Sequence, residues 1–228
     1  MQYMIGIDDT DNLESRGTGY LARFMAATLA KDFHIHGVTR HQLLLDERVP
    51  MTAKNSCAGI IFEGDDYHLT EIAAYARKVI LDDFQPGSDP GLCVASAIPT
   101  AITTFGQRAQ RDFLLQSEAR NLAAEHGLYL EGLGGDEGGV IGALAAVGLA
   151  AQGNDGRYVQ IGSIRDLAGL QPISTILAAG ITSVVMLDGQ PVTKGLVLVE
   201  KMRPARRNGQ PVLFVERQED HWLPLKLD

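Results

Sequence analysis

Residues 128 to 153, "LYLEGLGGDEGGVIGALAAVGLAAQG", constrain the fold more than any other stretch of the chain. They read as a short strand, a glycine-rich loop and a helix of small apolar residues that must pack tightly against its neighbours. Strand, loop and helix in that order predict an α/β fold with a mixed, partly parallel sheet and packed helices. The preceding sequence supplies further layers. "QYMIGI" (2 to 7) reads as a buried strand, and from Thr18 onward Tyr20, Leu21, Phe24, Met25 and Leu29 recur as one face of a helix does. Thr18, following Gly17, is placed as that helix's N-cap. Strands over 36 to 45 and 57 to 64 flank a loop through Pro50 to Asn55, and a helix follows over 69 to 82. After a strand at 91 to 98, Pro99 and Thr100 open one long helical stretch that Gly127 ends. Beyond residue 155 the character changes. "SVVMLDG", "GLVLVEKM" and "PVLFVER" are β-rich, and "RRNGQP" carries an Asn-Gly hairpin signal. The expected domains are therefore 1–155, the α/β part, and 156–228, a small mainly β C-terminal lobe, with the boundary near "QGNDG" (152 to 156).

A net charge of −8 argues against a broad electrostatic grip on nucleic acid, so nucleic acid is not expected as a partner without help from another protein. The compact basic cluster is Arg203, Arg206 and Arg207. Cys57 and Cys93 lie in apolar stretches without metal-ligand spacing and read as reduced, buried thiols, which fits the cytoplasm. No apolar span approaches the ~18 residues that a membrane helix needs, and the N-terminus enters a strand directly. The exposed strands of the lobe can pair across a homodimer.

Two stretches carry chemistry. In "IGIDDTDNLESRGTGYLA" (5 to 22), Asp8, Asp9 and Asp11 crowd the end of the first strand. Carboxylates this close repel unless a cation, protons or water offset them, and their hard oxygens suit Mg²⁺, which takes one or two protein carboxylates plus phosphate oxygens. A solvated Asp-rich turn is the competing reading. In the second stretch, Gly132, Gly134, Gly135, Gly138 and Gly139 precede the small-residue helix, whose N-terminal amides can face an anion. No Gly-Lys-Ser/Thr closes this loop, so it is not a Walker sequence, and a plain connector competes with phosphate binding. Together, an Asp cluster for Mg²⁺ and a glycine loop for phosphate are the equipment of phosphoryl transfer.

"GIDDTDN...RGTGYLA" and "GGVIGALAAVG" resemble two segments of the tRNA 2-agmatinylcytidine synthetases, or agmatidine synthases, which act on an isoleucine tRNA. "VPMTAKNSCAGIIF" and "DPG" (89 to 91) fall between them in the expected order, and the resemblance spans roughly residues 4 to 162. It implies a kinase-like domain that binds ATP and Mg²⁺ through the acidic loop. Asp8, Asp9, Thr10 and Asp11 match that loop, and Thr18 matches a threonine implicated in phosphate transfer. The assignments that follow are Asp8, Asp9 and Asp11 for metal, Thr10, Gly134, Gly135, Gly138, Gly139 and Gly142 for ATP, and Thr18 with Asp11 for catalysis. The family's Cys-Thr-Thr-Tyr is Gly17-Thr18-Gly19-Tyr20 here, and an arginine before the distal glycine is Gly138; Lys54, Arg40 and Arg16 are the candidates to replace its charge. The family's OB-fold and zinc ribbon have no counterpart before Asp228, so the expected substrate is a small-molecule or otherwise unknown acceptor.

Two other readings compete. Asp9-Thr10-Asp11-Asn12-Leu13 looks like the nucleophile loop of haloacid-dehalogenase-like phosphatases, although Lys54 and the Asp65-Asp66 pair come too early for that family's remaining parts. A nucleotide- or metabolite-binding regulator without turnover is the third.

Overall fold

The computed structural model describes residues 1–51, 54–65 and 68–227. The chain opens with β1 (Gln2–Asp8) and α1 (Thr18–Leu29), then β2 (His34–Gln42), β3 (Ser56–Glu63), α2 (Leu69–Asp82) and β4 (Gly91–Ala95). Two helices follow, α3 (Thr100–Ala109) and α4 (Gln116–Glu125), then β5 (Tyr129–Gly132) and α5 (Val140–Gln152). The last part comprises β6 (Arg157–Gln160), β7 (Gly169–Pro172), α6 (Ile173–Ala178), β8 (Ser183–Val185), β9 (Leu196–Val199), β10 (Ala205–Arg207), β11 (Gln210–Arg217) and β12 (Trp222–Pro224).

Among the described residues the strands run in the order β5-β4-β1-β3-β2-β6-β10-β11-β12-β9-β7, with β8 beside β11. The sheet is mixed, as the sequence predicts. Its parallel pairs, β8 with β11 and β9 with β12, lie late in the chain. β1 runs antiparallel to both of its neighbours, β3 and β4.

Alternation along β1 decides which layer each side chain enters. Tyr3, Ile5 and Ile7 join the core beneath α1 and α2, while Met4 joins the core formed with α3, α4 and α5. Asp8 shares the Met4 face, which directs its carboxyl toward α5. That helix is buried along nearly its whole length, between the sheet and α3, so its small side chains serve close approach on both sides. Residues after 160 wrap a separate core around Ile176, Val197 and Leu213. No helix among the described residues is long and apolar enough to cross a membrane.

The single helix expected over 99–127 is two. The chain leaves α3 after Ala109 and re-enters helix at Gln116, which lets Leu114 turn inward to 5% exposure against the α5 core. No glycine or proline marks this break; burial of one leucine overrides local helix propensity there. Arg203, Arg206 and Arg207, clustered in sequence, also part company. Arg207 stacks over Phe214. Arg206, 7% exposed, donates from Nε and Nη2 to the Ala150 carbonyl at 3.1 and 2.9 Å and from Nη1 to Gly209 O at 2.9 Å, besides pairing with Tyr158. It thus ties the end of α5 to the β10–β11 hairpin, whose turn residues Asn208 and Gly209 both have positive φ (49° and 75°). Arg206→Leu is expected to cost about 3 kcal/mol in urea unfolding, because a charged donor is lost and a buried carbonyl is left without its partner. Arg206→Lys should recover little of it, since an ammonium cannot reproduce the guanidinium fork.

Candidate functional site

β1 ends at Asp8, and the chain turns at once through Asp9, which sits in the left-handed region at φ 50°. Both carboxyls are half-buried. Burial, then the charge of Asp9 and more weakly that of Asp11, push Asp8 up to about 8. Burial, then the charges of Asp89, Asp11 and Asp136, push Asp9 up to about 6. Five carboxylates therefore share this end of the molecule. Among the described residues no three acidic, histidine or cysteine side chains already converge as a complete cation cage. The donor set nevertheless fits Mg²⁺, which needs only one or two carboxylates when phosphate oxygens and water complete its shell. Asp8 and Asp9 are the residues that would hold it.

Thr18 is not the N-cap. Gly17, at φ 87°, takes that position, and Thr18 is the first helical residue, with its hydroxyl turned back to the acidic loop instead of over the helix amides. Thr18 Oγ1 accepts from Thr10 Oγ1 at 3.1 Å and lies 3.4 Å from Asp11 Oδ1, to which it donates. Thr10, 4% exposed, sits behind Thr18 and does not reach the cleft wall; its contact is with the neighbouring hydroxyl.

The glycine segment divides. Gly138, Gly139 and Gly142 line the cleft beside Asp8, Asp9 and Asp11, whereas Gly134 and Gly135 lie outside it, in a turn around Asp89. Three loop amides are already engaged. Asp136 N–H donates to Asp89 Oδ1 at 2.8 Å, Gly138 N–H to Asp136 Oδ1 at 2.7 Å and Gly139 N–H to the Asp89 carbonyl at 2.9 Å. The absent side chain at Gly142 serves Asp8 directly, because a Cβ there would fall 1.7 Å from Asp8 Oδ2. Close packing of α5 onto the acidic loop thus accounts for this glycine without invoking phosphate.

The cleft encloses about 770 Å³, within the range of small-molecule sites. Its walls differ in chemistry. The acidic loop, Thr18 and the start of α5 form one part, and residues such as Leu44, Val49, Phe113 and Leu115 form an apolar part. The remainder is basic. Half of the chain's lysines and arginines line the cleft, among them Arg40, Lys54, Arg157, Lys201, Arg203 and Lys226. Arg16, Arg40 and Lys54, the sequence candidates for the missing arginine, are all present. Arg157 and Lys226 carry no motif, and their distance in sequence hides them. The acidic balance of the whole chain does not extend to this cleft, so it gives no ground for excluding a nucleic-acid partner. Of the parts a dehalogenase-like phosphatase would need, Lys54 lines the cleft and Asp66 falls outside the described residues.

No family model matches the chain. A curated relative, the tRNA 2-agmatinylcytidine synthetase TiaS of Cenarchaeum symbiosum (strain A), is 28% identical over 148 residues, which are 63% of this chain and 32% of the relative. The chain thus spans about a third of that relative's length. Among solved structures, a complex of TiaS with an isoleucine tRNA and ATP aligns with a TM-score of 0.57 at 25% identity, covering 65% of this chain and 36% of the other. A structure described as a tRNA fluorescent labeling enzyme aligns with the same values. In sequence and fold alike, the chain resembles a part of this synthetase. These relatives lend no support to the phosphatase reading or to that of a binding protein without turnover.

Proposed function

We propose that the chain is an ATP- and Mg²⁺-dependent transferase or ligase module related to the catalytic part of agmatidine synthase, with residues 1–155 forming its ATP-binding domain. The observation that carries this reading is the meeting of Asp8, Asp9, Asp11 and Thr18 on one cleft wall, against the glycine-bearing start of α5. The relative's complex with ATP and an isoleucine tRNA supports it. Asp8 and Asp9 would hold Mg²⁺, which would neutralise charge on the phosphate oxygens. Asp11 orients the Thr18 hydroxyl. In transfer to Thr18, Oγ1 attacks the γ-phosphorus and the bond to the β-phosphate oxygen breaks; the hydroxyl proton passes to the Asp11 carboxylate, and ADP leaves. The phosphoryl group then passes to an acceptor held elsewhere in the cleft, a small molecule or a nucleotide of an RNA.

Incubation with γ-labelled ATP and Mg²⁺, followed by peptide mapping, tests the threonine. Label is expected on Thr18 and is expected to vanish in Thr18→Val, a variant that keeps the side chain's shape and removes its nucleophile. Label on another residue, or undiminished label in Thr18→Val, would remove Thr18 from the pathway.

A further inference from the structure

Of the chain's six histidines only His41, on β2, is fully buried. Both of its ring nitrogens are engaged. Nδ1 lies 2.7 Å from Asp155 Oδ1, and Nε2 lies 2.9 Å from Thr39 Oγ1. An ionised carboxylate only accepts, so Nδ1 carries a hydrogen. The Thr39 hydroxyl has one hydrogen and directs it to the Gly59 carbonyl at 3.2 Å, so it accepts from Nε2. With a hydrogen assigned to each nitrogen by this network, the ring is an imidazolium and Asp155 is its counter-ion.

The pair holds more than itself. Asp155 belongs to the loop between α5 and β6, and its second oxygen accepts from Gln110 Nε2 at 2.9 Å, which also reaches the Gln42 carbonyl at 3.0 Å. The loop's backbone lies directly on the imidazole: Gly156 has φ 71°, and a Cβ there would fall 2.6 Å from His41 Nδ1. From the other side the β10–β11 hairpin is fastened to the same loop. Arg206 N–H donates to Gly156 O at 3.0 Å, Gly209 N–H to Gly153 O at 2.9 Å and Asn208 N–H to Asn154 Oδ1 at 2.7 Å. The link into β10 carries Lys201, Met202 and Arg203 along the cleft, so the loop's position bears on the shape of the cleft.

Few other titratable groups face the pair. Cys57, the register partner on β3, donates its thiol to the His41 carbonyl, and burial pushes that thiol well up, so it stays neutral. Arg40 precedes His41 on β2, and the charge of Arg207 on β10 acts on Asp155. Burial works to raise Asp155, but the bond and charge of His41, then Gln110, outweigh it and hold the carboxyl below its ordinary range.

We propose that His41 and Asp155 form a protonation-dependent clasp that fastens the α5–β6 loop, and through it the β10–β11 hairpin, to the floor of the cleft. When the ring gives up its Nε2 proton to solvent, the Thr39 hydroxyl turns round to donate to Nε2 and the Gly59 carbonyl loses that partner. Asp155 then keeps only a bond from a neutral ring, about half as strong. Because Thr39 serves either state, no buried nitrogen is left unpaired and the ring can titrate inside the folded molecule. The clasp is closed while the ring is protonated and loosens as pH rises through its titration. It does not depend on the ATP reading.

Ring ¹⁵N spectra between pH 5.5 and 9 follow His41, and amide hydrogen exchange, corrected for the intrinsic rate, follows Arg206, Asn208 and Gly209. The expected result is a doubly protonated ring at pH 5.5, a singly protonated one at pH 9, and protection of the three amides at least tenfold lower at pH 9. The Val192 amide, which bonds to Val184 within the C-terminal core, should change less than twofold. In His41→Gln the pH dependence should vanish. Asp155→Asn, at a side chain 26% exposed, keeps the shape and should stand at the loosened level at both pH values. A ring neutral at pH 5.5 or cationic at pH 9, protection that does not change with pH, or a change that survives in His41→Gln would overturn the clasp. Should His41→Gln fail to fold, Asp155→Asn decides: a tenfold pH dependence retained in it would overturn the proposal equally.

Discussion

Asp8→Asn is expected to make the ligand-free protein more stable at pH 8.5, by about 5 °C in thermal midpoint, and to abolish the further rise expected of the natural chain with Mg²⁺ and ATP. The direction follows from linkage. Asp8 stands at about 8 in the fold, against roughly 3.9 in an unfolded chain. Between those values the folded protein holds a proton that the unfolded one has released. The stabilisation from this group is therefore complete below pH about 4 and is lost as pH rises through 8. Asparagine keeps the shape, cannot ionise and removes that loss. A rise from about 3.9 to about 8 caps the cost at about 5 kcal/mol, and even about 2 kcal/mol of it corresponds to several degrees in a chain of this size. The gain over the natural protein should shrink as pH falls through 8 and vanish only below pH about 4, where the carboxyl is protonated in the folded and unfolded chain alike. A midpoint that falls at pH 8.5, or one that still climbs with Mg²⁺ and ATP, would show that Asp8 neither carries this electrostatic penalty nor holds the cation.

Gly6→Ala is expected to cost about 3 kcal/mol or more in urea unfolding, the upper end of what overpacking does. Gly6 lies on the β1 face that meets α5, and a Cβ there would fall 2.1 Å from the Ala143 carbonyl oxygen. Both sides of that contact are backbone, so no rotamer change relieves it and the helix has to lift from the sheet. The displaced helix carries Gly142 and with it the support of Asp8, so ATP binding should fall along with stability. Gly19→Ala is the contrasting case. That glycine lies inside α1, where a Cβ would meet only Arg23 Nη1 at 3.9 Å. A gain of about 0.5–1 kcal/mol is expected there from helix propensity. Equal effects at the two glycines would contradict the packing described for α5.

The acidic loop, the strand before it and the helix after it are legible in the sequence because period-two and period-3.6 patterns announce element type locally. The small-residue composition of α5 likewise announces tight packing. What lies beyond reach is partnership between distant segments. Periodicity places Arg40 in a strand, yet no strand is read at Arg157, and nothing in either segment says that β2 and β6 pair. Lys226, two residues beyond the end of β12, carries no signal at all. Sequence reasoning misplaces Thr18 by one residue. Threonine before an apolar-periodic run is a normal cap, but Gly17 tolerates the positive φ that the turn needs and takes the cap, which frees the hydroxyl for Asp11. The break at 110–115 is hidden because its cause is the burial of Leu114 against a helix that comes later in the chain.

The account stands or falls on whether the acidic loop makes ATP binding depend on Mg²⁺. Titration calorimetry of ATP at pH 8, with and without Mg²⁺, on the natural chain and on Asp9→Asn measures this without requiring an acceptor. The expected result is ATP binding that Mg²⁺ strengthens at least tenfold in the natural chain and fails to strengthen in Asp9→Asn. ATP bound equally well in EDTA, or a Mg²⁺ effect unchanged by Asp9→Asn, would contradict it.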